Sequence, residues 1–147
     1  MNGITYNAVC VIRDRKILGV TFKQNLARDG VHYEPRWFNE GIPGEVRACT
    51  MGSDTFQAGD IIYTVDGIRF GFEVCEDAWQ KHERPGYRLC ARGVDLILNP
   101  SASHFAMGKS ELREREVVID GSEQFKCVYL FVNLLGNEAG RIIFDGD

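Results

Sequence analysis

Two stretches rich in strand-favouring residues open the chain, Tyr6 to Ile12 and Ile17 to Phe22, and the polar run Arg13–Lys16 between them predicts a hairpin. Lys23 to Gly44 carries Asp29–Gly30, Pro35 and Pro43 with no sustained period, so it reads as a long structured loop, a feature that commonly carries function in compact domains. Asp60–Val65 and Ile68–Val74 flank Asp66–Gly67, the strongest short hairpin signal, because both turn residues tolerate positive φ. After Cys75 the pattern changes. Ala78 to Arg92 predicts a helix interrupted at Pro85–Gly86, Gly93 stops it, and Val94 to Leu98 forms a short buried strand. Lys109 to Lys126 is helical in composition with Gly121 as its weak point, and Val128–Asn133 and Ile142–Phe144 are the last strands. Hairpins mixed with strand–helix–strand units predict α/β layers with helices packed on sheet faces. There is no internal repeat. Both ends read as cut: the chain opens almost directly into a strand and stops at Phe144-Asp145-Gly146-Asp147, where a turn should lead onward.

Composition narrows the classes. The 147 residues, 44% hydrophobic, suit one ordinary domain with a core. A formal net charge of −4 removes the polyphosphate attraction of a nucleic-acid binder. No stretch is apolar enough to cross a bilayer, and no basic segment with an apolar signal core opens the chain, so no membrane partner is expected. Cys10, Cys49, Cys75, Cys90 and Cys127 are odd in number and lack metal-like pairing. They suit free thiols in a reducing compartment, and the expected location is cytoplasmic.

The sharpest local feature is Gly71-Phe72-Glu73-Val74-Cys75-Glu76-Asp77-Ala78-Trp79. A cysteine between an apolar strand and a helix start meets free N–H groups and the positive end of a helix dipole, both of which favour the nucleophilic thiolate. Most free cysteines are small buried hydrophobes, and position alone favours that reading. A Cys–His pairing with His32, His82 or His104 lacks the flanking pattern of the cysteine proteases, and no pair of these residues shows zinc-ligand spacing, so no metal is expected. Lys23 ends a strand and opens the long loop that holds Glu34. An ammonium group there stabilises a developing oxyanion if it faces a pocket, and a carboxylate orients it; each is otherwise an ordinary charged loop residue.

Taken together, Lys23-Gln24-Asn25-Leu26, Tyr33-Glu34-Pro35-Arg36-Trp37-Phe38 and the Cys75 segment resemble the carbon–nitrogen hydrolase (nitrilase) family in order and approximate spacing. Asn99-Pro100-Ser101-Ala102-Ser103 with Gly108-Lys109 is similar to the family's third block, and Val132-Asn133 and Phe144-Asp145-Gly146 to its closing blocks. Within the family, Cys75-Glu76-Asp77-Ala78-Trp79 and Gly30-Val31-His32-Tyr33-Glu34-Pro35-Arg36-Trp37-Phe38 resemble the glutaminase part of glutamine-dependent NAD synthetases. The resemblance implies a four-layer αββα sandwich of which about half is present. It implies Cys75 as nucleophile, Lys23 as oxyanion stabiliser and Glu34 as the loop's second glutamate. Ser103 and Lys109 match positions that hold the substrate's α-amino and α-carboxylate groups, with Glu76 fixing the amino group or shaping the pocket. The implied partners are glutamine or another small amide, the synthetase domain of the parent protein, and further copies of the chain. The amidase step needs no cofactor; ATP and magnesium belong to the synthetase domain.

The departures are specific. The family's general-base glutamate lies upstream of the lysine, and residues 1–22 contain no glutamate. The Ser-Gly-Gly-x-Asp-Ser phosphate loop of the synthetase domain is found nowhere in the chain. Asp29 stands where the family often has an aromatic residue, and His104 where proline is frequent. The expectation is a partial glutaminase, inactive in isolation. Another amidase of the same family, or a non-catalytic module that keeps the fold for assembly, remains open.

Overall fold

A computed structural model describes residues 3–29, 32–138, 140 and 142–146. Gly30 and Val31 of the long loop therefore lie outside the described residues. The first hairpin pairs β1 (Ala8–Arg13) with β2 (Lys16–Phe22), and Asp14 and Arg15 at its tip both take positive φ (52° and 63°) without a glycine. A second hairpin, β3 (Val46–Met51) with β4 (Asp54–Gly59), joins the same sheet through parallel pairing of β2 with β4, giving the order β1-β2-β4-β3. The sequence pattern did not predict this hairpin.

The Asp66–Gly67 turn forms as expected, with φ of 51° and 84°, between β5 (Tyr63–Val65) and β6 (Ile68–Phe72). Strand β7 (Leu96–Ser101) and strand β8 (Val128–Asn133) run parallel to β6, completing a second sheet of order β5-β6-β7-β8. A short pair, β9 (Leu135–Glu138) with β10 (Ile142–Asp145), follows; only its second strand was expected.

The segment after Cys75 corrects the predicted interrupted helix. It folds as a 3-10 turn over Cys75–Trp79, another over Lys81–Glu83, and only then α1 (Pro85–Ala91). Proline fixes a helical φ and lacks the N–H that the first turn leaves unpaired, so Pro85 starts α1 rather than breaking a helix already running. From Lys109 the chain stays helical through α2 (Lys109–Arg113), a π-helical stretch over Glu114–Ile119 and α3 (Asp120–Phe125), ending where Lys126 turns left-handed at φ 53°.

Three layers result. Val9 and Val11 of β1 pack against Tyr63, Phe72 and Val74, so the two sheets face each other. Leu89, Val117 and Phe125 pack onto Ile97 and Tyr129, so the helices cover the other side of the second sheet. These are three of the four layers of an αββα sandwich.

A buried ion pair sits at the helix–sheet boundary. Glu73, fully buried just beyond β6, accepts from Arg84 Nη2 (2.8 Å), the Tyr129 hydroxyl (2.6 Å) and the backbone N–H of Gly86 (2.7 Å). A Cβ on Gly86 would fall 2.2 Å from the Phe125 ring, so only glycine lets this N–H reach the carboxylate. Burial and the Glu73 charge push the Tyr129 hydroxyl well above its ordinary value, which keeps it a donor. Removing one member of a buried pair leaves an uncompensated charge. Arg84→Met is accordingly expected to lower the free energy of unfolding by about 3–5 kcal/mol in urea titrations; a loss below about 1 kcal/mol, the range of an exposed pair, would contradict this reading of Glu73.

Candidate active site

Lys23 directly follows β2, Cys75 lies three residues beyond β6, and Ser103 lies two beyond β7. The site therefore gathers at the carboxyl ends of strands from both sheets, where open α/β sheets place their ligand crevices. A cavity of about 820 Å³ opens there, and Lys23, Glu34, Cys75, Glu76, Ser103 and Lys109 all line it. Every site residue anticipated from the sequence is brought to one cavity.

Cys75 takes φ of 50°, a left-handed conformation that costs a non-glycine residue free energy and persists only where neighbours fix it. The expected α-helix start after it is a five-residue 3-10 turn, too short for the dipole support anticipated from the sequence. The other four cysteines do not line the cavity.

Lys23 is 1% exposed, and its ammonium lies 2.5 Å from Glu34 Oε2. The same oxygen accepts from the Ala27 N–H at 2.6 Å, and Oε1 accepts from Asn7 Nδ2 at 2.7 Å. Both oxygens of Glu34 are thus engaged in holding the lysine and its loop. Backbone bonds fix Lys23 from either side, its N–H to the Asn7 carbonyl and its carbonyl to the Gly41 N–H.

Glu76 accepts from Gln80 Nε2 at 2.7 Å, and burial raises its carboxyl above the ordinary range. Lys109 is lowered by burial and by Arg113 beside it. His104 Nδ1 lies 3.0 Å from His32 Nε2 and 3.5 Å from Lys109 Nζ, and both histidines line the cavity. Burial and the Lys109 charge lower His104, favouring its neutral form. Ser103 is set by Asn133, which accepts the Ser103 N–H (2.8 Å) and donates to its carbonyl (3.0 Å). Asn133 also donates to Asp145, itself bridged by both terminal nitrogens of Arg113. Among the described residues, no three His, Cys, Asp or Glu side chains converge as a metal site, and no helix is long and apolar enough to cross a membrane.

Asp77 was not singled out from the sequence. It is buried, and its carboxylate receives Gln24 N–H (3.2 Å), Asn25 N–H (2.7 Å) and Asn25 Nδ2 (2.9 Å) on Oδ1 and Val74 N–H (2.8 Å) on Oδ2. Its long-range partners are 52 and 53 residues away in sequence, beyond any local signal.

No family model matches the chain. A glutamine-dependent NAD(+) synthetase of Thermotoga maritima is 30% identical over 141 residues, 96% of this chain and 21% of the relative. A solved glutamine-dependent NAD(+) synthetase from Cytophaga hutchinsonii is 45% identical with a TM-score of 0.87, over 99% of this chain and 23% of that one. A mutant amidase of the nitrilase superfamily from Nesterenkonia shares the fold at 17% identity and a TM-score of 0.66, over 93% of this chain and 44% of that one. The chain spans about a fifth of the length of the curated relatives it matches, 19% of one and 21% of another. Its homologues are glutamine-dependent NAD(+) synthetases, and its fold is that of the nitrilase superfamily.

Burial pushes the Asp77 carboxyl up to about 6 from 3.8, outweighing the N–H groups of Val74 and Asn25 that favour its charged form. A carboxyl raised in the folded state adds stability that is complete below the unfolded value and lost as pH rises through the folded one. Relative to Asp77→Asn, the native chain should therefore lose about 2 kcal/mol between pH 4 and 7. Urea titrations across that range test this; a difference that stays flat or grows with pH would contradict it.

Proposed function

We propose that this homologue of glutamine-dependent NAD(+) synthetases hydrolyses the side-chain amide of glutamine and supplies the ammonia to NAD synthesis. The observation that carries the reading is the convergence of a buried lysine, its glutamate clamp and a conformationally strained cysteine on one cavity. Cys75 Sγ attacks the amide carbon, and Lys23 with the backbone N–H after Cys75 stabilises the oxyanion. The carbon–nitrogen bond breaks, ammonia departs with the thiol proton, and a thioester remains. Water then attacks the thioester, releasing glutamate and restoring the thiol.

Glu34 acts by fixing Lys23, since both its oxygens are occupied. Ser103, Lys109 and Glu76 surround the space for the substrate's α-amino and α-carboxylate groups, with Lys109 acting as a point charge on the carboxylate. The ammonia is consumed by an ATP- and magnesium-dependent synthetase domain of the same cytoplasmic protein, which assembles from several copies. The amide step itself uses no cofactor. The base that deprotonates Cys75 and activates the deacylating water is a glutamate upstream of these 147 residues.

Three outcomes test the reading. In the full gene product, Cys75→Ala should abolish ammonia release from glutamine, and a glutamine-like electrophile should label Cys75; labelling mainly on Cys10, Cys49, Cys90 or Cys127 would sink the assignment. Lys23→Met should lower kcat by about 10²–10³-fold, the effect of removing one oxyanion donor, and normal turnover would remove the lysine from the mechanism. The 147 residues alone should release ammonia about 10²–10⁴-fold more slowly than the same chain extended upstream in its gene, the usual contribution of a general base. Comparable rates would place the base within this chain.

A further inference from the structure

The nucleophile and the oxyanion lysine come from different sheets, so something must fix one against the other. We infer that Asp77 is a positioning residue that holds the Lys23 loop and the Cys75 turn in register, one carboxylate oxygen serving each segment. The inference rests on the glutamine-hydrolysing reading for its reaction, and on the hydrogen bonds alone for its geometry.

The allocation of the oxygens is the argument. Oδ2 accepts the N–H of Val74, the residue before the nucleophile, while Oδ1 accepts the N–H groups of Gln24 and Asn25, the two residues after the lysine, and the Asn25 side chain. Capping the short turn that begins at Cys75 accounts for the Val74 bond only. The other three bonds reach across to the loop that follows β2 of the first sheet and contribute nothing to that turn. All four donors are uncharged amides, and the carboxylate is 1% exposed. A buried acid with no cation among its donors is a costly way to join two loops, and such costs are characteristic of functional sites. Burial raises its carboxyl, consistent with that cost.

Both ends of the clip adjoin backbone that needs external support. Cys75 keeps its positive φ with Val74 tethered on one side. Gln24 is held at its backbone by Asp77 and at its side chain by Arg88, so Lys23, whose own N–H donates to the Asn7 carbonyl, is followed by a residue fixed at both ends. An isosteric asparagine cannot reproduce this. With its oxygen turned to the lysine loop, its NH2 meets the Val74 N–H donor to donor; turned the other way, it opposes three donors.

The test uses the full gene product, native and with Asp77→Asn or Asn25→Ala. Cys75 alkylation by chloroacetamide, a small amide electrophile, is timed by peptide mass spectrometry with Cys10 as internal reference, and glutamine kinetics are measured beside it. Asp77→Asn is expected to slow Cys75 alkylation and kcat by between about ten- and a hundredfold, the effect of a misplaced reacting group. KM should stay within about twofold, because the loss falls on the transition state. A general loss of structure would instead move KM, Cys10 reactivity and unfolding together. Asn25→Ala, which leaves the three backbone bonds, should slow alkylation and kcat by a few-fold and stands in if Asp77→Asn does not fold. Native rates in either folded variant would overturn the inference. A native protein whose Cys75 alkylates rapidly but releases no ammonia from glutamine would refute the substrate, and the alkylation comparison would still decide the role of Asp77. A native Cys75 no more reactive than Cys10 would contradict both.

Discussion

The proposed reaction needs a thiol on one sheet and an ammonium group on the other within reach of a single amide, and the geometry of the site depends on that constraint. Strands β2 and β6 end at the same side of the sandwich, Lys23 and Cys75 follow them, and the buried Asp77 carboxylate ties the two exits together. The packed valines and aromatic rings between the sheets set the coarse separation. Hydrophobic contact is non-directional and tolerates small sliding. Directional hydrogen bonds supply the rest, and here they converge on one side chain.

The same economy recurs around the site. Glu34 spends its two oxygens on Lys23 and on the loop that carries it, and Glu73, two residues before Cys75, gathers Arg84, Tyr129 and the start of α1. Three acids, Glu73 and Asp77 buried and Glu34 half-buried, thus hold the elements around the Cys75 turn through hydrogen bonds to both of their oxygens. Asn133 and Asp145 do similar work for Ser103 from the far end of the chain. Cys75, Glu76, Lys109 and the His32–His104 pair also line the cavity.

Local signals were legible and long-range ones were not. The Asp66–Gly67 turn, the strand Val128–Asn133 and the helical run from Lys109 are written in adjacent residues, and they formed where expected. The β3–β4 hairpin was missed although Gly52-Ser53 is a two-residue hairpin signal, with Gly52 at φ 61°, because its strands mix Arg, Thr and Gln with few large apolar residues. The interrupted helix expected over Ala78–Arg92 failed in its first half because Pro85 begins a helix more readily than it interrupts one, and the residues before it form 3-10 turns. The candidate site residues were named one at a time through a family pattern, and one cavity gathers them. Asp77 was not, because its role lies in partners more than 50 residues away, and no period or motif reports such a contact.

The central claim is that amide cleavage proceeds through Cys75 and a covalent thioester. The most direct measurement is acid quench of the full gene product during glutamine turnover, followed by peptide mass spectrometry. A glutamyl adduct on the peptide containing Cys75, forming in the first turnover and decaying as glutamine is exhausted, is the predicted result. Turnover with no adduct on that peptide, or with the adduct on another cysteine, would contradict the account.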